Sequence, residues 1–211
     1  MTTATSKRER NKARRRAGIV EVATRRFFEQ GYAATSMSAI AEELGGSKAT
    51  LWSHFASKDE LFAAVVDNRM ARFSEDIGEF LTMQTFSVDS LRRFLLRLLD
   101  GLMVEESTRL FRLVMGEGER FPEIQTLFWE RGPTLMLKHF SDYYGTAFEP
   151  EEASRLARVT IAAITGFRSH LMIAPPGSMQ SEAALFVDSL VSQLHFPTPE
   201  TAPSPAGTLQ R

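Results

Sequence analysis

The sequence contains no cysteine. This absence excludes disulfide bonds, thiolate metal sites, cysteine nucleophiles and thiol redox sensors. No apolar run approaches the roughly 18 residues that a membrane-spanning helix needs, and the charged N-terminus is not followed by the apolar core of a secretory signal. We therefore expect a soluble, cytoplasmic protein that does not enter the membrane.

Catalytic signatures are also missing. The chain has four histidines but no HExxH motif and no glycine-rich phosphate loop. His139, His170 and His195 lie too far apart in the sequence to suggest a shared metal site. We expect neither an enzyme nor a bound metal or cofactor.

The chain has almost no net charge, −1 over 211 residues, but the charges are unevenly distributed. Residues 1–58 contain 11 Lys and Arg against 5 Asp and Glu, whereas residues 59–211 contain 14 against 21. A basic head on an acidic body is typical of a protein whose one end meets a polyanion, although a basic run can also be a solubilising tail.

The basic run is followed by helical patterns. Apolar spacing predicts short helices over 17–29, 37–44 and 48–54, with Gly31 ending the first and Gly45-Gly46 separating the other two. Such an arrangement is a helix-turn-helix, although a small helical bundle without a DNA role has the same pattern. Leu51 and Phe55 should face inward, which leaves the outer face of the third helix with donors, one flat aromatic side chain and few acids.

The stretch from Gly31 to Leu61, GYAATSMSAIAEELGGSKATLWSHFASKDEL, resembles the DNA-binding domain of TetR/AcrR-family transcriptional regulators. The resemblance implies an all-α homodimer with an N-terminal three-helix helix-turn-helix domain and a larger C-terminal helical domain for ligand binding and dimerisation, about nine helices in total. The domains would be a basic flexible arm (1–15), the DNA-binding domain (16–60), the regulatory and dimerisation domain (61–195) and a Pro-rich disordered tail (196–211). The chain departs from the family pattern at Gly46, where an aliphatic residue is usual, and at Trp52, where Tyr is usual.

The resemblance also implies roles in DNA binding. Thr35 and Lys58, each at a helix start, would hold phosphates, and the basic arm from Lys7 to Arg16 would extend the contact into or along the minor groove. A charged His54 would add to these contacts below neutral pH. The full set of predicted DNA-binding residues is Arg14, Arg15, Arg16, Thr35, Ser36, Ser47, Lys48, Thr50, Trp52, Ser53, His54 and Lys58.

The segments RLFRLVMGEGERFPEI (109–124) and FWERGP (128–133) resemble the C-terminal domain of the AefR-like branch of the family. Sixteen Phe and nine Met are many for this length and suit a large apolar cavity, although an ordinary packed core uses the same residues. The predicted ligand-binding residues are Phe80, Phe94, Leu98, Phe111, Met115, Phe128, Trp129, Met136 and Phe140.

Two further helices, predicted over 150–172 and 181–194, carry wide apolar faces that suggest burial on two sides. In relatives these helices pair across a two-fold axis as a four-helix bundle. The predicted dimer-interface residues are Leu156, Thr160, Ile164, Phe167, Leu171, Phe186, Leu190 and Leu194.

Together these features predict a repressor that a small lipophilic or aromatic effector releases from a pseudo-palindromic operator. Its partners would be double-stranded DNA, a second copy of itself and the effector. The alternative is a DNA-binding adaptor of the same fold whose helical body binds a protein partner.

Overall fold

A computed structural model describes residues 7–45, 48–82, 85–174 and 179–196, and it places the side chains of these residues except within 72–82 and 179–181. Every regular element among them is a helix. The ten helices are α1 (Lys7–Ala34), α2 (Met37–Glu43), α3 (Lys48–His54), α4 (Lys58–Thr82), α5 (Val88–Met103), α6 (Glu105–Glu117), α7 (Pro122–Arg131), α8 (Pro133–Tyr144), α9 (Pro150–Ile173) and α10 (Met179–Gln193). The all-α prediction is confirmed.

Proline and glycine divide the chain where local chemistry requires it. Pro122 and Pro150 occupy the first turns of α7 and α9, where a missing N–H breaks no helical hydrogen bond. Gly132 and Pro133 separate α7 from α8, because proline cannot continue the preceding helix. This separation accounts for ten helices instead of about nine.

The helix α1 is longer than predicted. Residues Lys7–Arg16, expected as part of a flexible arm, continue it by almost three turns. The physical reason is that Arg, Lys, Ala and Glu are strong helix formers and that neither Gly nor Pro occurs between Lys7 and Ala17. The helix also kinks at Gly31 and resumes to Ala34 instead of ending there.

The chain divides into two compact units, Met1–Asp76 with Asp100–Leu135, and Ile77–Leu99 with Met136–Arg211. In the first unit, one hydrophobic core joins the helix-turn-helix to the helices α4, α6 and α7. Its largest members include Phe27, Tyr32 and Phe62, whose rings pack on one another with centroids 5.3–5.6 Å apart. This division follows packing and leaves the predicted functional boundaries as predictions.

The second unit has an aromatic core of its own. Phe94 and Phe140 pack edge to face at 5.0 Å, beside the buried Tyr143 and Tyr144. The Tyr144 and Thr160 hydroxyls are hydrogen-bonded at 2.8 Å, and burial raises the pKa of the Tyr144 phenol. Aromatic burial of this kind is the main source of stability in such a core.

The first residue of the predicted tail, Phe196, packs against other aromatic side chains. Phe196 is half-buried and packs against Phe86 and Phe148, with ring centroids 5.1 and 6.0 Å away, because an apolar ring gains from leaving water. The rest of the predicted tail lies outside the described residues. In the part of the chain that the structure describes, we found no helix long and apolar enough to cross a bilayer.

Candidate nucleic-acid interface

The turn between α2 and α3 begins with a capped helix. The Ser36 hydroxyl accepts a hydrogen bond from the Ala39 N–H at 3.1 Å, which caps α2. Gly45 has φ = +62°, a left-handed conformation that glycine adopts readily. Gly46 and Ser47, with the predicted role of Ser47 in DNA binding, lie outside the described residues.

Helix α3 has the predicted bounds and the predicted orientation. Leu51 and Phe55 are each only 1% exposed, which confirms that they face the core. Lys48 and Ser53 are exposed, Thr50 and His54 are half-buried, and Trp52 is 44% exposed. The exposed Trp52 gives the outer face of this short helix one large aromatic side chain.

The side chain of Thr35, which was predicted to contact a DNA phosphate, is buried in the protein. Its side chain is 2% exposed and its hydroxyl donates to the Gly31 carbonyl at 2.8 Å and the Arg26 carbonyl at 3.2 Å. The kink at Gly31 leaves these carbonyls in need of donors, and Thr35 supplies one. The prediction of a phosphate contact through the Thr35 side chain is therefore corrected.

Lys58 is engaged within the protein. Its ammonium donates to the Tyr32 carbonyl at 2.9 Å and lies 4.0 Å from the centroid of the Tyr32 ring. The Tyr32 hydroxyl in turn donates to Asp59, and burial followed by this hydrogen bond raises the pKa of Tyr32. A phosphate contact by Lys58 would require it to leave these partners, and it stays a prediction.

The start of α4 follows the capping box that its sequence suggests, with one difference. The Ser57 hydroxyl accepts from the Glu60 N–H at 3.1 Å, whereas the Glu60 carboxylate accepts from the Ala56 N–H at 2.7 Å instead of the Ser57 N–H. This cap positions the end of α3 relative to α4.

The N-terminal extension of α1, defined here as Lys7–Arg16, is exposed at every residue. It contains seven Lys and Arg and one acid, Glu9. The Arg16 guanidinium lies 4.5 Å from the centroid of the Phe55 ring, a cation–π contact that joins the extension to the residue after α3. The predicted DNA-binding residues Arg14, Arg15 and Arg16 thus belong to an ordered helix next to α3.

A groove of about 820 Å³ separates the N-terminal extension from the end of α3. We call it the cationic groove, and it is lined by Arg8, Asn11, Lys12, Arg14, Arg15, Gly18, Leu44, Ser53 and His54. A second, smaller cavity of about 370 Å³ adjoins it beside Gly45, lined mainly by Ile19, Ala41, Leu44 and Leu51. Gly45 thus borders this smaller cavity.

The electrostatics of the cationic groove act on His54. Burial, followed by the charges of Lys12, Arg15 and Arg16, lowers the pKa of His54 from its ordinary value of 6.5. Its Nδ1 is buried and has no hydrogen-bond partner among the described residues. The lowered pKa disfavours a charged His54, so the charge that the sequence suggested for it requires a lower pH than expected.

Sequence reasoning missed a long-range contact at the kink of α1. Gly31 has φ = +84°, and the turn aims the N–H groups of Tyr32 and Ala33 at the carboxylate of Glu117, the last residue of α6. The Tyr32 N–H donates to Glu117 Oε1 at 2.8 Å, and the Ala33 N–H donates to Oε2 at 2.7 Å. Bonds between amides and a carboxylate are among the stronger protein hydrogen bonds, and these two fix α1 to α6.

The predicted ligand-binding residues are divided between the two units. In the first, Phe111 and Phe128 pack at 6.2 Å, whereas Met115 and Trp129 are 67% and 63% exposed. In the second, Phe94, Leu98 and Phe140 are buried and Met136 is half-buried. The exposure of Met115 and Trp129 corrects the prediction that they line a ligand site, because each lies on the outward face of its helix. The side chain of Phe80 lies outside the described residues.

The predicted dimer residues face largely inward. Leu156, Thr160, Ile164, Leu171 and Leu194 are at most 6% exposed within a single chain, so they cannot form an outward interface. Helical periodicity shows which residues share a face but not which face meets the core of the same chain. The prediction therefore assigned the inner face of these helices to the dimer interface.

The remaining predicted interface residues are half-buried. Phe167 and Phe186 stack with centroids 4.0 Å apart, and Leu190 is also half-buried. The outward apolar side chains of these two helices are instead Val159, Ile173 and Leu185, which are 42%, 84% and 68% exposed.

Comparison with known proteins gave matches to two family models. Residues 19–65 match the model of bacterial regulatory proteins of the tetR family, and residues 89–150 match the AefR-like transcriptional repressor C-terminal domain. The first match covers the helix-turn-helix described above.

Among curated proteins, the chain is 32% identical over 100 residues to the HTH-type transcriptional regulator TtgR of Pseudomonas putida. The match covers 44% of this chain and 45% of TtgR, so the chain spans less than half the length of that relative.

Among solved structures, a tetR-family transcriptional regulator from Mesorhizobium loti MAFF303099 superposes with a TM-score of 0.73 at 25% identity, covering 86% of this chain and 95% of that one. The flavonoid-responsive regulator FrrA superposes with a TM-score of 0.68 at 22% identity, covering 85% and 94% of the two chains. These likenesses extend over most of the described helices.

Proposed function

Because the chain belongs to the tetR family of bacterial regulatory proteins, we propose that it is a homodimeric, DNA-binding transcriptional repressor whose release from DNA is triggered by a small lipophilic or aromatic effector. The observation that carries the proposal is the outward face of α3. Lys48 and the half-exposed Trp52 project from a helix whose other side is anchored by Leu51. A helix presented in this way fits the major groove, where Lys donates to guanine and an apolar side chain contacts the thymine methyl group.

The charge distribution supports the same orientation. The basic N-terminal extension lies beside α3, while residues 59–211 carry an excess of acids. A polyanion attracts the first and repels the second, so electrostatics would bring the protein to DNA with α3 foremost.

A dimer is supported by the outward face of α9 and α10. Val159, Gly166 and Ile173 recur every seven residues along one side of α9, and a Cβ at Gly166 would meet no atom within 4 Å. With Leu185 of α10, these positions form the face that we propose for dimer contact. A two-fold pair would place the two α3 helices about 34–36 Å apart, which suits adjacent major grooves on one side of DNA.

The proposed effector site draws on the aromatic side chains of α5 and α8 in the second unit, Phe94 and Phe140. Similarity of fold to a regulator named for flavonoid response supports a small-molecule effector over a protein partner. The effector must prefer the conformation that does not bind DNA, and a tenfold weakening of DNA binding requires a preference of about 1.4 kcal/mol.

The two tryptophans of the chain offer a direct test. The full-length protein is used to select fragments from sheared genomic DNA at about 0.15 M salt, and the selected sequence is then titrated into two variants. Trp129→Phe leaves Trp52 as the only tryptophan, and Trp52→Phe leaves Trp129 as the matched control.

We expect the operator to quench or shift the emission of Trp52 but not that of Trp129, because only Trp52 lies on α3. Addition of the flavonoid naringenin, or of another lipophilic compound that binds the protein, should reverse the change. If the protein retains no genomic fragment more strongly than a scrambled duplex, specific DNA binding is contradicted. If only the emission of Trp129 responds to the operator, the role of α3 is contradicted.

A further inference from the structure

We propose that the cationic groove seats one phosphodiester strand of the bound DNA, so that the N-terminal extension forms a second, rigid wall opposite the end of α3. This inference rests on the proposed DNA binding and adds to it a specific path for the backbone. It differs from a flexible basic arm because only the cations on one face of the extension would take part.

Three of the four cations that line the groove share one face of α1, and Arg14 is the fourth. Arg8, Lys12 and Arg15 follow each other at intervals of four and three residues, the spacing that places side chains on one side of a helix. Asn11 adds an amide donor on the same side. In contrast, Lys7 and Arg10 carry the same charge on the same extension but do not line the groove.

The dimensions of this stripe match a nucleic-acid backbone. Seven residues separate Arg8 from Arg15, which corresponds to about 10 Å along the helix axis. One strand of duplex DNA carries a phosphate about every 3.4 Å of its axis, so three cations meet about three phosphates. A single small anion would leave most of the groove unfilled.

The wall of the groove opposite the N-terminal extension indicates that the polyanion is DNA, because α3 forms it. Ser53 and His54 close the groove from α3, the helix that we propose for the major groove. A strand bordering that major groove therefore passes the end of α3. No acid is among the described residues that line the groove, so nothing in its walls repels a phosphate.

Binding would also stabilise the extension itself. The positive end of the helix dipole lies at the N-terminus of α1, where cations are unfavourable, and Arg8, Lys12 and Arg16 repel one another at four-residue spacing. Phosphates between these side chains remove both penalties. Amide hydrogen exchange in residues 7–16 should therefore slow on DNA binding.

The test compares two double variants that remove the same charge from the same exposed segment. Arg8→Gln with Lys12→Gln changes the groove, and Lys7→Gln with Arg10→Gln is the matched control. Dissociation constants are measured for the selected operator and for a scrambled duplex from 50 to 200 mM NaCl, together with hydrogen exchange in residues 7–16.

Each lost phosphate contact lowers the salt slope by about 0.9, and the groove variant loses two contacts in each protomer of the dimer. Between 50 and 200 mM NaCl its affinity should therefore fall by a factor roughly 100 times smaller than the factor for the wild type, on both duplexes. The control pair should change the slope by less than half as much. Exchange in residues 7–16 should slow on DNA binding in the wild type and in the control but not in the groove variant.

Equal effects of the two pairs of substitutions would overturn the proposal, because they would indicate that the whole charged extension attracts DNA without a specific binding groove. No effect of either pair would also overturn it. If the groove variant instead weakened binding of poly-L-glutamate but not of DNA, the groove would take an acidic protein segment. Failure of the wild type to bind any duplex would refute the proposed function itself, a result separate from all of these.

Discussion

The two ends of α1 differ in what holds them in a helix. From Ile19 to Tyr32 the helix contributes five buried residues to a hydrophobic core, so tertiary packing stabilises it. From Lys7 to Ala17 every residue is exposed, and the helix depends on local propensity against the repulsion of its own charges. One continuous helix thus contains a structural half and a half whose charges suit an external polyanion.

The largest effect should come from the buried half. Phe27 is fully buried, and its ring packs at 5.6 Å on Tyr32 and at 5.3 Å on Phe62. Phe27→Ala should lower the free energy of unfolding by about 3–5 kcal/mol, because it removes apolar burial and leaves a cavity. Urea unfolding followed by circular dichroism measures this loss.

The matched change in the exposed half is Arg10→Ala, which we expect to alter the free energy of unfolding by less than about 0.5 kcal/mol. A loss at Arg10 comparable to that at Phe27 would remove the distinction between the two halves of α1.

An intermediate effect is expected at the end of the buried half, where Glu117 accepts from the N–H groups of Tyr32 and Ala33. In Glu117→Gln one oxygen is replaced by an NH₂ group, which faces an N–H donor that it cannot satisfy. The free energy of unfolding should fall by about 1–3 kcal/mol. Glu119→Gln, two residues further along the chain and exposed, removes the same charge and should leave unfolding almost unchanged.

If the two glutamate variants unfold at the same urea concentration, the carboxylate at 117 does not stabilise the kink. Hydrogen exchange of the Tyr32 and Ala33 amides gives a local check, because it should accelerate in Glu117→Gln alone.

The smallest expected effect is on the pH dependence of the free energy of unfolding, and it involves His54. A His54 pKa below 6.5 means that the unfolded chain takes up a proton at a higher pH than the folded chain does. The stability from neutral His54 is therefore present above pH 6.5 and is lost as the pH falls from 6.5 through the lowered pKa. His54→Gln should lose less stability than the wild type between pH 7.5 and 5.5 in urea unfolding.

The exposed His170→Gln serves as the control and should follow the wild type. An acid dependence of His54→Gln identical to that of the wild type would show that neither burial nor the charges of Lys12, Arg15 and Arg16 lower the pKa of this histidine.

Local chemistry explains what could be predicted from the sequence. The bounds of α3 and the inward orientation of Leu51 each depend on neighbours within four residues, and the structure confirms them. The path of residues 7–16 could not be decided in the same way, because helix propensity and charge repulsion oppose each other there.

Longer-range features escaped prediction for a different reason. Periodicity placed Leu156 and Ile164 on one face of α9, but only the packed structure shows that this face is the inner one. The bonds of Glu117 join residues about 85 positions apart, and no local pattern marks such a pair. Likewise, the exposed Trp129 and the buried Phe140 carry similar apolar signals in the sequence.

The kink at Gly31 also limits the order in which substitutions can accumulate. A Cβ at position 31 would overlap Glu117 Oε1, so any other residue there must first displace the carboxylate. Shortening Glu117 would open the space but would not relieve the positive φ of +84°. In a lineage of related sequences, loss of Glu117 should therefore precede loss of Gly31, and the reverse order should pass through an intermediate with both a clash and a strained backbone.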